Sequence, residues 1–193
     1  EDMELVVKLH EYCVTNGIPY AIKYATDAIC WTQVPERLKD LRKQRKRWHL
    51  GLFQSMWKHR VMLANPKFGP VSFISYFYFL IYELLSPFIE IFGVITMILA
   101  FAVDLINVPF MVLFFLIYAL YNCVLTLTAF FARIQTIDLK ISFMDVVKAV
   151  LLCFFEVCIL RFIMAFVRAT AFIGYKKKKL NWGRIERQKI NIK

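Results

Sequence analysis

The hydrophobic and polar positions divide the chain into a mixed first third and a largely apolar remainder. In residues 3–15, Leu5, Leu9 and Tyr12 or Cys13 recur at helical spacing, with Lys8 and Glu11 between them and Asn16-Gly17 as a stop signal. A short amphipathic helix is predicted there. Residues 18–30 alternate instead, are rich in β-branched and aromatic side chains, and hold Pro19 near their start and Thr26-Asp27 as a turn. That pattern predicts one or two short strands. Residues 35–60 return to helix chemistry, with Pro35 at a first-turn position, Glu36 beside it, Thr32 as a cap and no further proline until Pro66. Asn65-Pro66 and Gly69-Pro70 then mark the passage into the apolar region.

Three apolar runs follow. The first, residues 71–103, holds only Glu83 and Glu90 as charges and is interrupted at Ser86-Pro87. It exceeds the roughly 20 residues that a straight membrane span needs, so a kinked or tilted helix, or a pair of short elements, is predicted. The second, Val108–Ala132, carries no charge and is the clearest transmembrane helix. The loop between them has no Lys or Arg, whereas residues 58–67 and 133–140 do, so the loop is placed outside and its flanks in the cytosol. The third run, residues 146–173, contains Glu156, Arg161 and Arg168 and leads into Lys176 to Lys179. A third crossing would place four lysines outside. A re-entrant or in-plane helix, or one packed on the polar portion, is therefore expected, with the tail cytosolic; splitting the first run would give a fourth crossing. The count of crossings is thus two to four.

Composition agrees with a membrane protein. The 193 residues are 60% hydrophobic and 17% aromatic with a net charge of +11, and their mean hydropathy is +0.55. A soluble domain seldom combines such values. The chain opens on Glu1 without a Met or signal-like region, and reads as the C-terminal part of a longer protein. Its five cysteines form no C-x-x-C pair and are read as reduced packing residues.

Within residues 35–60, Gln44, Arg47, Trp48 and Gly51 fall at i, i+3, i+4 and i+7 and share one helical face. An amide, a guanidinium and an indole plane lie side by side there, next to a residue without a side chain. Such a surface suits a phosphorylated sugar: Arg forks onto phosphate oxygens, and an indole lies under the apolar face of a pyranose. The same helix carries Arg37, Lys39, Arg42, Lys43, Arg45, Lys46, Arg47, Lys58 and Arg60, which equally suit anionic lipid headgroups. Both uses are compatible. Nucleic acid is not an expected partner, since no recognised nucleic-acid motif accompanies the charge. His49 and His59 are assigned no role.

The order of Glu1-Asp2, then Gln44-x-x-Arg47-Trp48, then apolar spans resembles the E-D and Q-x-x-R-W signatures of membrane-integrated family 2 glycosyltransferases, the synthases of cellulose, chitin, hyaluronan and poly-N-acetylglucosamine. The ending Asn181-Trp182-Gly183-Arg184-Ile185-Glu186-Arg187 is similar to the tail of bacterial members. The resemblance implies an α/β GT-A-type C-terminal portion followed by an all-α membrane region. Residues 1–34 would close the GT-A-like domain, 35–69 would be the Q-x-x-R-W interface helix and link, 70–175 the transmembrane and interfacial helices, and 176–193 a basic cytosolic tail. It implies a multi-pass protein of the inner or plasma membrane that moves a sugar from a nucleotide donor, expected to be uridine diphosphate-linked, to an acceptor glycan in polysaccharide synthesis.

In that reading Asp2 is the base that takes the acceptor's proton, Glu1 supports it, Gln44, Arg47 and Trp48 bind substrate, and Arg184 and Arg187 cover the site from the tail. A divalent cation, Mg2+ or Mn2+, is expected with its ligands upstream of residue 1, so that the piece alone is inactive. Glu1 and Asp2 also suit the start of a helix simply as capping acids. Glu83, Glu90, Glu156 and Arg161 either line a polar passage or pair with one another or with the basic helices. Two alternatives stay open: a single-sugar transferase acting on a lipid-linked acceptor, and a non-enzymatic polytopic scaffold whose basic helices bind lipid.

Overall fold

The structure, a computed structural model, describes residues 2–23, 25, 28, 30, 32–137 and 142–173. It divides into two compact units, one of residues 1–87 and 167–193 and the other of residues 88–166. Every regular element among the described residues is helical.

In the first unit, α1 (Asp2–Thr15) ends where Asn16-Gly17 predicted. Gly17 takes φ +65°, a conformation that glycine adopts without strain, and the Ile18 N–H closes back onto the Cys13 carbonyl at 2.9 Å. The stripe that predicted this helix, Leu5, Leu9 and Tyr12, is exposed. Its opposite, polar side makes the contacts.

The strands predicted in residues 18–30 are not found among the described residues. A strand needs a neighbour to bond its backbone, and no other strand is present among the described residues to receive one; residues 24, 26, 27 and 29 of that stretch lie outside them. Residues 18–23 are exposed and irregular instead. Alternation alone signalled a half-buried ribbon, but the burial is missing. Within the described residues, then, the α/β expectation is corrected to all-α.

Helix α2 (Leu38–Lys58) is shorter than predicted. Arg37 is its extended N-cap and Thr32 plays no capping part, because the chain around Pro35 has not yet turned helical. The first turn carries Asp40, suited to the positive end of the helix dipole. The C-terminal half of α2 buries His49, Leu52, Ser55 and Met56. Leu52 and Met56 pack with Leu84 and are flanked by Phe53, Tyr76, Phe79, Leu80 and Phe172. Each fully buried aliphatic side chain of this kind stabilises by about 1.5–3 kcal/mol.

The link after α2 is tightly tied. The Ser72 hydroxyl donates to the Met62 carbonyl at 2.6 Å and accepts the Asn65 N–H at 2.7 Å, and Ser72 is fully buried. Tyr76 Oη donates to the Met56 carbonyl at 2.7 Å, joining the helix that follows to the end of α2.

That following helix, α3 (Val71–Ala102), is continuous over 32 residues and is neither a pair of elements nor broken at Pro87. Widened π-helical turns over Val71–Ser75 and Phe79–Leu85 explain the continuity. Pro87 lacks an N–H and crowds the preceding turn, and a π-turn directly before it relieves the crowding. In the second unit, α4 (Val108–Ile137) is as predicted, and α5 (Phe143–Phe172) begins there, its last turns belonging to the first unit. At the start of α5 the Asp145 carboxylate accepts the Ser142 N–H at 3.2 Å.

All three of these helices are long and apolar enough to cross a membrane, the make-up of a multi-pass membrane protein. The third run is thus one 30-residue helix of membrane length. Its last turn packs through Phe172 on His49 and the Leu52–Met56 cluster of α2, as the expectation of a helix packed on the polar portion has it. In the most apolar windows of α3 and α4 only 11% of residues are buried, so their side chains are turned outward, as lipid-facing helices require.

Candidate functional site

The sequence-predicted face lies in the middle of α2, beside the side of the helix that packs down. Trp48 is 52% exposed, Gln44 and Arg47 are half-buried, and a side chain built at Gly51 would meet nothing within 4 Å. One helix carries all four, so they share a face as the spacing required. The Arg45 guanidinium lies 5.2 Å from the Trp48 ring centroid, a cation–π contact that holds the indole beside positive charge. Lys43 reaches Asp40 at 3.8 Å across the exposed side. The arrangement is an open, positively charged surface with an aromatic plane in it, able to stack an apolar sugar face and draw phosphate oxygens.

One turn further on, α2 is anchored to α1 through charge. Lys58 and His59 meet the α1 carboxylates: Lys58 Nζ bonds Glu4 at 2.5 Å, the buried His59 bonds Glu11 through Nδ1, and its Nε2 lies 3.6 Å from Glu4. The bond from Lys58 holds the Glu4 carboxyl below its ordinary range. His10, also buried, bonds the Tyr20 hydroxyl and packs on Phe68. These contacts place the described part of α1 at the far end of α2, about 15 Å along the helix axis from Trp48. Glu1, the Asp2 side chain, Arg184 and Arg187 lie outside the described residues.

The two histidines given no role are both structural. His59 is the tie just described. His49 packs edge-on against Phe172 at 5.5 Å, and burial, helped by the positive charge of Arg168, pushes its pKa down to about 4, so it is neutral at physiological pH. The signal for His49 was legible, since it sits three and seven residues before the buried Leu52 and Met56. The signal for His59 was not, because its partners are 48 and 55 residues away.

In the second unit, Arg161 donates from Nε and Nη2 to Glu90 Oε1 at 3.2 and 3.1 Å, and its guanidinium lies 5.6 Å from the Tyr118 ring centroid. This decides between the two expectations for that pair in favour of pairing. Glu83 and Glu156 have no ion pair among the described residues. No group of three or more His, Cys, Asp or Glu among the described residues could hold a metal ion.

Residues 1–172 match the family described as Glycosyl transferase family group 2. The chain belongs to that family. The match runs through α1, the Gln44-x-x-Arg47-Trp48 face and all three membrane-length helices, so the family 2 glycosyltransferase domain and the membrane helices are one continuous unit of sequence. Family membership implies a sugar donor and an acceptor in general terms. No curated protein and no solved structure matches this family 2 chain.

Proposed function

We propose that this family 2 chain belongs to a membrane-bound inverting transferase that moves a sugar from a uridine diphosphate donor to an acceptor glycan in polysaccharide synthesis. The observation that carries the proposal is the open Gln44, Arg47, Trp48 and Gly51 face within a chain that matches the family from residue 1 to residue 172. Trp48 is the platform under the acceptor sugar, and Gln44 and Arg47 engage phosphate or acceptor hydroxyls. Asp2 takes the proton from the acceptor hydroxyl as its oxygen bonds to the anomeric carbon. The bond from that carbon to the diphosphate oxygen breaks, and uridine diphosphate leaves with the electron pair. Glu1 supports Asp2, and Arg184 and Arg187 close over the site.

The closing part of a GT-A-like domain is assigned to residues 1–34, and the polar portion and tail to the cytosolic side of the cell membrane, where lipids contact the basic residues of α2. A divalent cation, Mg2+ or Mn2+, belongs to this reading, but the described residues do not form a site for it. The test is the product made by the intact protein in its native membrane from a radiolabelled uridine diphosphate sugar. A polymer of many sugars supports polysaccharide synthesis, and a lipid-extractable product with one added sugar replaces it with single transfer to a lipid-linked acceptor.

A further inference from the structure

Arg168 lies near the end of α5, half-buried, and no acidic side chain pairs with it among the described residues. Its Nη2 reaches only the Ser86 hydroxyl, at a long 3.5 Å, and its Nε is buried without a hydrogen-bond partner. Arg161, on the same helix, shows what the alternative looks like: two guanidinium nitrogens on one carboxylate. Beside Arg168, His49 is 4% exposed, and its Nε2 is also buried with nothing to bond. Unpartnered buried donors and an unpaired cation are costly, and each calls for an occupant or a cause. His49 stays neutral here, so with the proton on Nε2 it donates; beside it the fixed positive charge of Arg168 has the Ser86 hydroxyl as its acceptor and no anion among the described residues.

A compact oxyanion is the kind of group that such donors and such a charge accept. Position narrows the choice. Arg168 stands within two turns of the end of a membrane-length helix and one turn before Phe172, which packs on His49 of the basic helix α2; the ends of such helices are where phosphate groups meet a membrane protein. We propose that Arg168, Ser86 and His49 form a binding seat for a phosphoryl oxyanion. Arg supplies the planar fork that phosphate oxygens match, Ser86 a hydroxyl that can turn toward a second oxygen, and His49 a neutral donor that adds no charge to be balanced. The seat lies on the buried side of α2, away from the Trp48 face, and does not depend on the transferase reading.

Two sources carry this chemistry, a phospholipid headgroup and a soluble diphosphate. The intact protein, held in a neutral maltoside detergent and phosphate-free buffer, is melted while inorganic pyrophosphate is titrated in, and separately while dihexanoyl phosphatidylglycerol is added to the micelles. The seat predicts a saturable rise in melting temperature with one of the two. The midpoint should move to at least about tenfold higher ligand in Arg168→Gln, the loss of roughly one charge-assisted contact. Arg168→Lys keeps the charge without the fork and should fall between, and Ser86→Ala should weaken binding while folding normally. Lys8→Gln, which removes an exposed charge of α1, should leave the midpoint unchanged. A response to pyrophosphate assigns the seat to a soluble diphosphate, and a response to phosphatidylglycerol assigns it to lipid. The proposal is overturned if neither ligand raises the melting temperature, or if Arg168→Lys and Ser86→Ala respond as wild type does.

Discussion

Arg161 and Glu90 are bound through two guanidinium nitrogens on one carboxylate oxygen, so α5 and α3 share an ion pair within the second unit. Glu90 is 17% exposed and its other oxygen is buried without a partner, so the carboxylate depends on Arg161. Removing either partner leaves the other charge in apolar surroundings, which is costlier than removing both. Glu90→Gln and Arg161→Gln should each lower the melting temperature in detergent, and the double variant should lose less than the two losses added. The coupling expected from a double-mutant cycle is on the order of 1–3 kcal/mol. Strict additivity would mean that the pair contributes nothing beyond its separate side chains.

The buried His49 makes stability depend on pH with a definite sign. Its folded pKa, about 4, lies below the ordinary histidine value of 6.5, so between those values the unfolded chain binds more protons than the folded one. Stability is therefore full above about pH 6.5 and falls as the pH drops toward 4. The Glu4 carboxyl, held low by Lys58, contributes in the same direction but only below its ordinary value of 4.5. Melting temperatures of wild type and His49→Leu between pH 7.5 and 4.5 should diverge in slope, with the variant flatter. Parallel curves would contradict the assignment.

The tie between α1 and α2 is predicted to hinge on His59 more than on Lys58. His59 is buried against Glu11 and Glu4, whereas Lys58 is 58% exposed and its pair with Glu4 is a surface salt bridge worth under about 1 kcal/mol. Hydrogen exchange in α1 should speed up markedly in His59→Ala and little in Lys58→Met. Equal effects would show that α1 is held by other means.

Much of this was legible from residue patterns. The stop at Asn16-Gly17, the Gln44, Arg47, Trp48 and Gly51 face and the charge-free Val108–Ala132 run each follow from local spacing, and the structure agrees with each. What was not legible depends on distant partners. Residues 18–30 alternate as a strand does, but a strand forms only beside another strand. The chain passes Pro87 because a π-turn precedes it, which no proline rule anticipates. Leu5, Leu9 and Tyr12 mark the apolar side of an amphipathic helix and are exposed, while the polar side of α1 binds Lys58 and His59 across more than forty residues. Arg168 read as one charge too many in an apolar run; only its neighbours show that it lacks a counter-charge.

Trp48 separates a sugar platform from a lipid anchor. A platform needs the flat apolar face but not the indole N–H, so Trp48→Tyr should keep a measurable part of the transfer rate while Trp48→Ala loses at least about tenfold, equivalent to the roughly 1–3 kcal/mol of an aromatic stacking contact. Flotation on anionic vesicles should barely change in either. If both variants transfer sugar at the wild-type rate and differ only in flotation, the basic helix serves the membrane and not the substrate.

Sugar transfer with Asp2 as base is read out by uridine diphosphate release. The intact protein in its native membrane is offered a panel of uridine diphosphate sugars, with Asp2→Asn, expressed to the same level, beside it. The account predicts that one sugar is turned over by wild type, and that Asp2→Asn, which keeps the shape but cannot accept the proton, reduces the rate by 10²-fold or more, on the order expected for losing a general base. Turnover of no sugar, or full activity in Asp2→Asn, would contradict it.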